Sequence, residues 1–169
     1  MSLTLYRISK LQYAQHPDLP EHGFGAARFG GRWNSPDLTS QHDRRLIYTS
    51  DTLAQAMLEI VVHVDSRVLQ TVPHAYVRFQ VEEEYIADLK AAQLPATWNA
   101  HPETPATQVI GDQWFDEQSS PVLRVPSVIL PLTVYGPGQS NYLINANHPD
   151  IGEAVKLLDF QTLPLDPRL

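Results

Sequence analysis

The run Gly30-Gly31-Arg32-Trp33-Asn34 combines residue types that can hold an anion. Paired glycines permit backbone conformations and close approaches that other residues forbid. An arginine directly after them presents a planar fork of donors that suits phosphate or carboxylate oxygens. Trp33 could anchor the loop by burial, and Asn34 could hydrogen-bond to the turn. The residues alone fit a plain glycine turn with a solvated arginine equally well.

Two further side chains, Tyr48 and Glu59, could act on a bound aromatic ligand. Tyr48 lies in a short apolar run, where its ring could stack on the ligand and its hydroxyl could hydrogen-bond to it. Glu59 lies beside the apolar stripe of a predicted helix, so its carboxylate could be held against a cleft and stabilise positive charge. His63, one turn later, extends the same face. Taken alone, a core tyrosine, a solvated glutamate and a structural histidine are the simpler interpretations.

Three polar residues in the second half of the chain could complete such a site. Ser127 follows Pro126, and a proline within a strand creates a bulge that redirects neighbouring side chains. Asn141 and Asn145 flank a short apolar run. Each of the three also fits a simpler role, because serine and asparagine often satisfy the backbone of their own turns.

Apolar periodicity predicts the elements that carry these side chains. Alternation predicts strands over residues 3–8 and 75–81, and a short apolar run predicts another over 46–49. Apolar residues at helical spacing predict an amphipathic helix over residues 52–65. The other predicted elements are a long loop over 16–36, helices over 105–117 and 150–158, and strands over 122–130 and 160–165. Strands and helices without regular alternation indicate an α+β fold.

Composition limits the classes of protein to consider. The chain has 169 residues, enough for one domain with a sizeable core. It has no cysteine and a formal net charge of −7, which argues against thiolate chemistry and against direct nucleic-acid binding. Residues 1–34 differ, with four basic and two acidic residues, and such a small basic region suits a compact anionic ligand. We find no secretion signal, membrane span or zinc-ligand spacing, so we expect a cytoplasmic protein without a metal.

Together these residues resemble the RES domain, a family named for its Arg, Glu and Ser. The matching pieces cover roughly residues 6–148, in this order: Tyr6-Arg7-Ile8, Gly25-Ala26, Phe29-Gly30-Gly31-Arg32-Trp33-Asn34, Tyr48-Thr49-Ser50, Leu58-Glu59, Gly111-Asp112-Gln113-Trp114, Val125-Pro126-Ser127 and Asn141-Tyr142-Leu143-Ile144-Asn145. The resemblance implies a single domain over residues 1–169, with a mixed, split β-sheet akin to that of ADP-ribosyltransferase toxins. It also implies a bacterial type II toxin that degrades NAD⁺ as a glycohydrolase or phosphorylase, and a helix-turn-helix (Xre-like) antitoxin that neutralises it.

The resemblance further implies the site residues: for catalysis Arg32, Tyr48, Glu59 and Ser127, and for substrate binding Arg32, Tyr48, Ser127, Asn141 and Asn145. NAD⁺ is the substrate, and no cofactor is implied. In this assignment Arg32 binds the pyrophosphate and Tyr48 stacks on nicotinamide. Glu59 contacts the ribose hydroxyls and the developing cation, and Ser127 positions the ribose or a phosphate.

Alternative functions stay open at this point. A mono-ADP-ribosyltransferase would begin with the same bond cleavage and modify a macromolecule. A non-catalytic nucleotide-binding module is a second alternative, and a nuclease is a third that the acidic charge disfavours. The sequence leaves open whether the acceptor is water, phosphate or a macromolecule, and whether the chain forms a homodimer. Two departures from the family are an extra loop over residues 133–140, expected at the cleft rim, and Ala146 in place of a common proline.

Overall fold

The computed structural model describes residues 1–39 and 43–169. Within them lie seven strands: β1 Ser2–Lys10, β2 Leu46–Ser50, β3 His74–Glu82, β4 Ile86–Asp88, β5 Val122–Val125, β6 Asn141–Asn145 and β7 Val155–Leu163. They form one sheet in the order β4-β5-β6-β2-β1-β3-β7. Only β4 and β5 are parallel among the paired strands of these ranges, so the sheet is mixed, as predicted.

Short helices cover the sheet. In the described residues they are α1 Leu11–Ala14, α2 Phe24–Phe29, α3 Leu53–His63, α4 Ser66–Thr71, α5 Pro105–Asp116 and α6 Ile151–Ala154, with 3₁₀ turns at Leu19–Gly23, Glu83–Tyr85, Ala91–Gln93 and Leu132–Val134. Thr52 caps the N-terminus of α3, and its hydroxyl accepts a hydrogen bond from the Gln55 N–H at 3.1 Å. The α+β class is confirmed. No helix in the described part of the chain is long and apolar enough to cross a bilayer.

The sheet is nearly divided between β1 and β2. β2 pairs with β6 along its whole length, and β1 pairs with β3 from Ser2 to Lys10. In contrast, the pairing recorded between β1 and β2 is the single register pair Tyr6–Ser50. Because antiparallel neighbours normally bond along their length, the two strands must diverge beyond this pair. The resulting opening is the cleft described below.

Alternation along the central strands sends apolar side chains to both faces of the sheet. Ile47 and Ile144 belong to one buried cluster, together with Leu5 and Phe79. Their neighbours Leu46 and Leu143 belong to a second buried cluster, whose other members include Trp33, Trp114, Phe115 and Leu123. The second cluster joins α5 and the Trp33 loop to the sheet, and it thereby supports one side of the cleft.

Three predicted elements differ from the structure. The loop predicted over residues 16–36 contains a 3₁₀ turn and α2. The strand predicted over 122–130 ends at Val125, because Pro126 has no N–H to continue the ladder. The helix predicted over 150–158 was wrong beyond Ala154, where the chain becomes β7 and pairs with β3.

Candidate active site

The cleft between β1 and β2 contains two adjoining cavities. Cavity 1 has a volume of about 550 Å³ and cavity 2 of about 340 Å³. Five residues line both cavities and so mark their junction: Arg7, Gly25, Tyr48, Glu59 and Asn141. The junction therefore brings together a cation, a carboxylate and an aromatic ring.

Glu59, on α3, is held at this junction by polar side chains. Its Oε1 accepts hydrogen bonds from the Ser127 hydroxyl at 2.7 Å and from the Asn141 amide at 2.6 Å. Its Oε2 lies 3.6 Å from Nε2 of His63. Asn141 is itself fixed, because its Oδ1 accepts a hydrogen bond from the Ser50 hydroxyl at 2.8 Å. The structure thus brings the sequence-predicted residues Glu59, Ser127 and Asn141 into one network.

This network keeps Glu59 ionised. Burial alone would raise the pKa of the Glu59 carboxyl, but hydrogen bonds from His63, Asn141 and Ser127 outweigh burial and hold the pKa below its ordinary value. The Glu59 carboxylate in turn raises the pKa of His63, against the opposing effect of burial. With Oε1 occupied twice, Oε2 is the oxygen with capacity for a further donor.

Arg7 lines the junction, although the sequence reasoning named it only within the matching piece Tyr6-Arg7-Ile8 and not among the candidate site residues. Its Nη1 donates to the Tyr48 carbonyl oxygen at 3.1 Å, so the side chain spans the opening from β1 to β2. Burial lowers the pKa of its guanidinium, but an arginine remains charged at neutral pH. The alternation of side chains along β1 could have indicated that Arg7 points inward. Leu3 and Leu5 point toward the first core cluster, and Arg7 continues that inward register.

Arg32 lines cavity 2 but is partly committed elsewhere. Its Nη1 donates to the carbonyl oxygens of Trp98 and Ala100 at 2.8 and 3.0 Å. These bonds hold the segment before α5 beside the cleft, where His101 and Glu103 also line cavity 2. Contact of Arg32 with a pyrophosphate stays a prediction. The other guanidinium nitrogens, Nε and Nη2, would have to make that contact.

Tyr48 lines both cavities, and its hydroxyl is already hydrogen-bonded within the protein. The hydroxyl donates to Asn34 Oδ1 at 2.7 Å and accepts from the Trp33 N–H at 3.1 Å. Burial strongly raises the pKa of this phenol. The Asn34 amide also donates to the Ala26 carbonyl oxygen at 2.9 Å. Tyr48 is therefore fixed by the loop that the glycine motif begins, and stacking is the interaction it can still offer.

Glycines allow that loop to pack closely. Gly30 has φ of +73°, and a side chain on Gly31 would meet the Tyr48 hydroxyl at 2.7 Å. On α5, a Cβ on Gly111 would collide with the Trp33 carbonyl oxygen. Helix α5 is thus in backbone contact with the loop that holds Tyr48.

Asn145 is not brought to the cleft. It is fully buried at the far end of β6 from Asn141, a separation of about 13 Å at the usual rise of a strand. Its Nδ2 lies 3.4 Å from the Phe115 carbonyl oxygen, and its Oδ1 accepts from the Asn147 N–H at 3.0 Å.

Residues 133–140, which were expected at the cleft rim, line neither cavity. Among the described residues, no group of three or more His, Asp or Glu side chains is placed to hold a metal ion.

The chain matches the RES domain family over residues 4–166. It is 29% identical to Toxin Res of Yersinia enterocolitica over 99% of both chains. It is 33% identical to Toxin Res of Pseudomonas putida over 94% of this chain and 95% of that protein. A third relative, the Prs ADP-ribosylating toxin of a Sphingobium species, is 33% identical over 87% of this chain and 84% of its own length.

The fold is also similar to that of a solved structure. A chain from the MbcT–MbcA toxin–antitoxin complex of M. tuberculosis superposes with a TM-score of 0.68. The superposition covers 96% of this chain and 85% of that one, at 20% sequence identity. At this identity the likeness concerns the fold.

Proposed function

The chain belongs to the RES domain family, and from that membership we propose that it is the toxin of a toxin–antitoxin pair and degrades NAD⁺ by cleaving the nicotinamide–ribose bond. Relatives that match nearly its whole length are named as toxins, and one is named as ADP-ribosylating. Cleavage of NAD⁺ and transfer of ADP-ribose begin by breaking the same bond. NAD⁺ is the substrate in this proposal.

The observation that carries the proposal is the fixed carboxylate of Glu59 at the junction of the two cavities. When the ribose–nitrogen bond breaks, its electron pair leaves with nicotinamide, which becomes neutral. The ribose carbon is left as an oxocarbenium-like cation. A carboxylate already oriented by Ser127 and Asn141 stabilises that charge without having to reorganise, which is the main requirement for electrostatic catalysis.

The remaining groups at the junction suit the rest of the dinucleotide. The Arg7 guanidinium supplies positive charge for the pyrophosphate, and Arg32 adds a second cation in cavity 2. The Tyr48 ring offers a stacking surface for nicotinamide. The acceptor oxygen then bonds to the ribose carbon and loses its proton to solvent, which completes the reaction with water or phosphate.

The test is mass spectrometry of the products that the purified protein forms from NAD⁺, with and without inorganic phosphate. Nicotinamide plus ADP-ribose identifies water as the acceptor, and nicotinamide plus a phosphorylated ADP-ribose identifies phosphate. Expression without an antitoxin should also lower cellular NAD⁺ as growth stops. Growth arrest at constant NAD⁺, with NAD⁺ intact in both incubations, would contradict the proposal.

A second candidate is transfer of ADP-ribose to a macromolecule, which the name of the Sphingobium relative favours. A strict transferase releases little nicotinamide from NAD⁺ alone and labels a protein or nucleic acid when a cell extract is added. Labelled NAD⁺ therefore separates the two candidates. Turnover with NAD⁺ alone supports degradation, and label retained on a macromolecule supports transfer.

A further inference from the structure

We propose that cavity 1 binds the adenosine half of NAD⁺, with the base stacked on the exposed rings of Tyr13 and Phe29. The inference rests on the proposed function. It adds an assignment of the two ends of the dinucleotide to the two cavities, and it names two specificity-determining residues outside the catalytic network.

Helix α3 distributes its side chains between the cavities. Ala56 and Ile60 of α3, and Val64 directly after its end, follow one another at intervals of four residues and line cavity 1. Glu59 and His63 form the neighbouring row and line cavity 2, with Glu59 also reaching the junction. Helix α3 therefore gives cavity 1 an aliphatic wall, whereas it presents a carboxylate and an imidazole to cavity 2.

Aromatic rings from α1 and α2 line the same aliphatic cavity. Tyr13 is 59% exposed and Phe29 is 75% exposed, although aromatic side chains are normally packed in a protein interior. The Arg28 guanidinium lies 5.4 Å from the centre of the Phe29 ring, which helps to orient the ring. Exposed rings beside a cavity are the usual platform for a nucleic-acid base, since every base has a π-face.

Size and charge favour adenosine over nicotinamide in this cavity. Adenine is a neutral pair of fused rings, and cavity 1 is the larger of the two at about 550 Å³. Nicotinamide in NAD⁺ is a single cationic ring. Glu59 lines both cavities. Cavity 2, at about 340 Å³, adds the Glu103 carboxylate, and its cation Arg32 already donates to the carbonyl oxygens of Trp98 and Ala100, whereas Lys10 in cavity 1 would repel a cationic ring. Arg7 lies between the halves, where the pyrophosphate joins them.

The experiment compares two fragments of the dinucleotide, AMP and nicotinamide mononucleotide, by titration calorimetry. Phe29→Ala and Tyr13→Ala should each weaken AMP binding by about 5- to 100-fold, the usual loss when a stacking ring is removed. Binding of nicotinamide mononucleotide should stay unchanged. Val109→Ala is the matched control, because Val109 is 62% exposed on α5 and lines neither cavity.

Fragment binding needs no turnover, so this outcome is separate from that of the NAD⁺ cleavage assay. Wild-type protein that does not bind AMP, or variants that bind it as tightly as wild type, would overturn the assignment. Selective loss of nicotinamide mononucleotide binding would also overturn it, by placing nicotinamide in cavity 1.

Discussion

The charge of Glu59 depends on which groups surround it more than on how exposed it is. Burial and hydrogen bonding shift its pKa in opposite directions, and the hydrogen bonds prevail. Arg7 shows the complementary case of a cation that burial disfavours but that the strand register places at the junction. Single side chains in this cleft are therefore tuned by contacts that come from distant parts of the chain.

Glu59→Gln should fold normally and lose about 100- to 1000-fold in turnover of NAD⁺, the usual effect of removing one preorganised electrostatic group. Glutamine keeps the volume and can still accept from Ser127, but it lacks the charge that the transition state needs. Substrate affinity should change less than turnover. Thermal unfolding, NAD⁺ binding and nicotinamide release are measured on one preparation, with the exposed Glu84→Gln as control. A stable Glu59 variant with more than about a tenth of wild-type turnover would remove the proposed role.

His63→Gln should move the acidic limb of the pH–rate profile to higher pH. His63 is one of the groups that lower the pKa of Glu59, so its removal raises that pKa. Glu59 then loses its charge at a higher pH as the solution is acidified. In the wild type the charged pair exists below the raised pKa of His63 and is lost as pH rises through it. Turnover of NAD⁺ is measured from pH 4 to 9, and His16→Gln serves as control. An unshifted acidic limb contradicts the coupling.

Contacts between elements set the shape of the cleft as firmly as its own side chains do. The Trp33 loop holds the Tyr48 hydroxyl, and α5 holds that loop through a backbone approach at Gly111. A change on α5 should therefore reach the cleft although α5 itself is not part of its junction.

Gly111→Ala should destabilise the protein by about 1–3 kcal/mol, because the new Cβ would force α5 away from the Trp33 carbonyl. Helix propensity alone predicts the opposite sign, since alanine favours a helix by about 1 kcal/mol over glycine. Gly152→Ala on α6 is the matched control, because its Cβ would meet nothing within 4 Å. Urea unfolding of both variants measures the difference. Equal free energies of unfolding for the two variants would show that the close approach at Gly111 does not penalise a side chain there.

The two asparagines that end β6 should behave differently. Asn141→Ala should lower NAD⁺ turnover, because it removes a hydrogen bond to Glu59 and the link to Ser50. Asn145→Ala should instead destabilise the fold by about 1–3 kcal/mol, since it removes a fully buried side chain and its hydrogen bonds with the Phe115 carbonyl oxygen and the Asn147 N–H, and should spare turnover at low temperature. Unfolding midpoints and initial rates are compared for both. A selective loss of turnover in Asn145→Ala would restore it to the substrate-binding set.

The sequence predicted the helices and strands correctly where the local pattern and the tertiary packing favour the same structure. It predicted β1, β2, α3, β3 and α5, whose apolar periodicity is strong. It failed over residues 155–158, which it assigned to a helix, because Val155–Leu163 acquires its extended form by pairing with β3, which is distant in the chain; the strand predicted over 160–165 overlaps the end of β7. The family resemblance implied roles for Glu59 and Ser127, which stay predictions, but it did not indicate their hydrogen bond, and it could not separate Asn141 from Asn145. These contacts depend on which strands are neighbours in the sheet, and the short-range pattern of the sequence does not determine strand neighbours.

Over the whole molecule, the cleft is richer in cations than the rest of an acidic protein. The net charge is −7, yet Arg7, Lys10 and Arg32 line the two cavities against the carboxylates of Glu59 and Glu103. A partner that neutralises the proposed toxin would find its complementary surface there, as an acidic or carboxylate-ended segment.

Co-expression with the protein encoded next to it should abolish growth arrest, and the two should co-purify. The expected partner is an antitoxin that occupies the cleft, so raising NAD⁺ should weaken the complex and raising salt should slow its formation. Growth curves, affinity purification and binding kinetics at two salt concentrations check these points. Full growth arrest in the presence of the neighbouring protein, with no complex isolated, would count against the pair.

The single register pair between Tyr6 and Ser50 leaves β1-β3-β7 and β4-β5-β6-β2 as two hydrogen-bonded ladders with little backbone in common. Each ladder can then open to solvent as a cooperative unit of its own, so amide hydrogens should exchange in two groups rather than one. Across the seam, Arg7 of one ladder reaches Tyr48 of the other. A dinucleotide bound to both residues would link the two ladders, so the protection of amide hydrogens against exchange would rise in both ladders together.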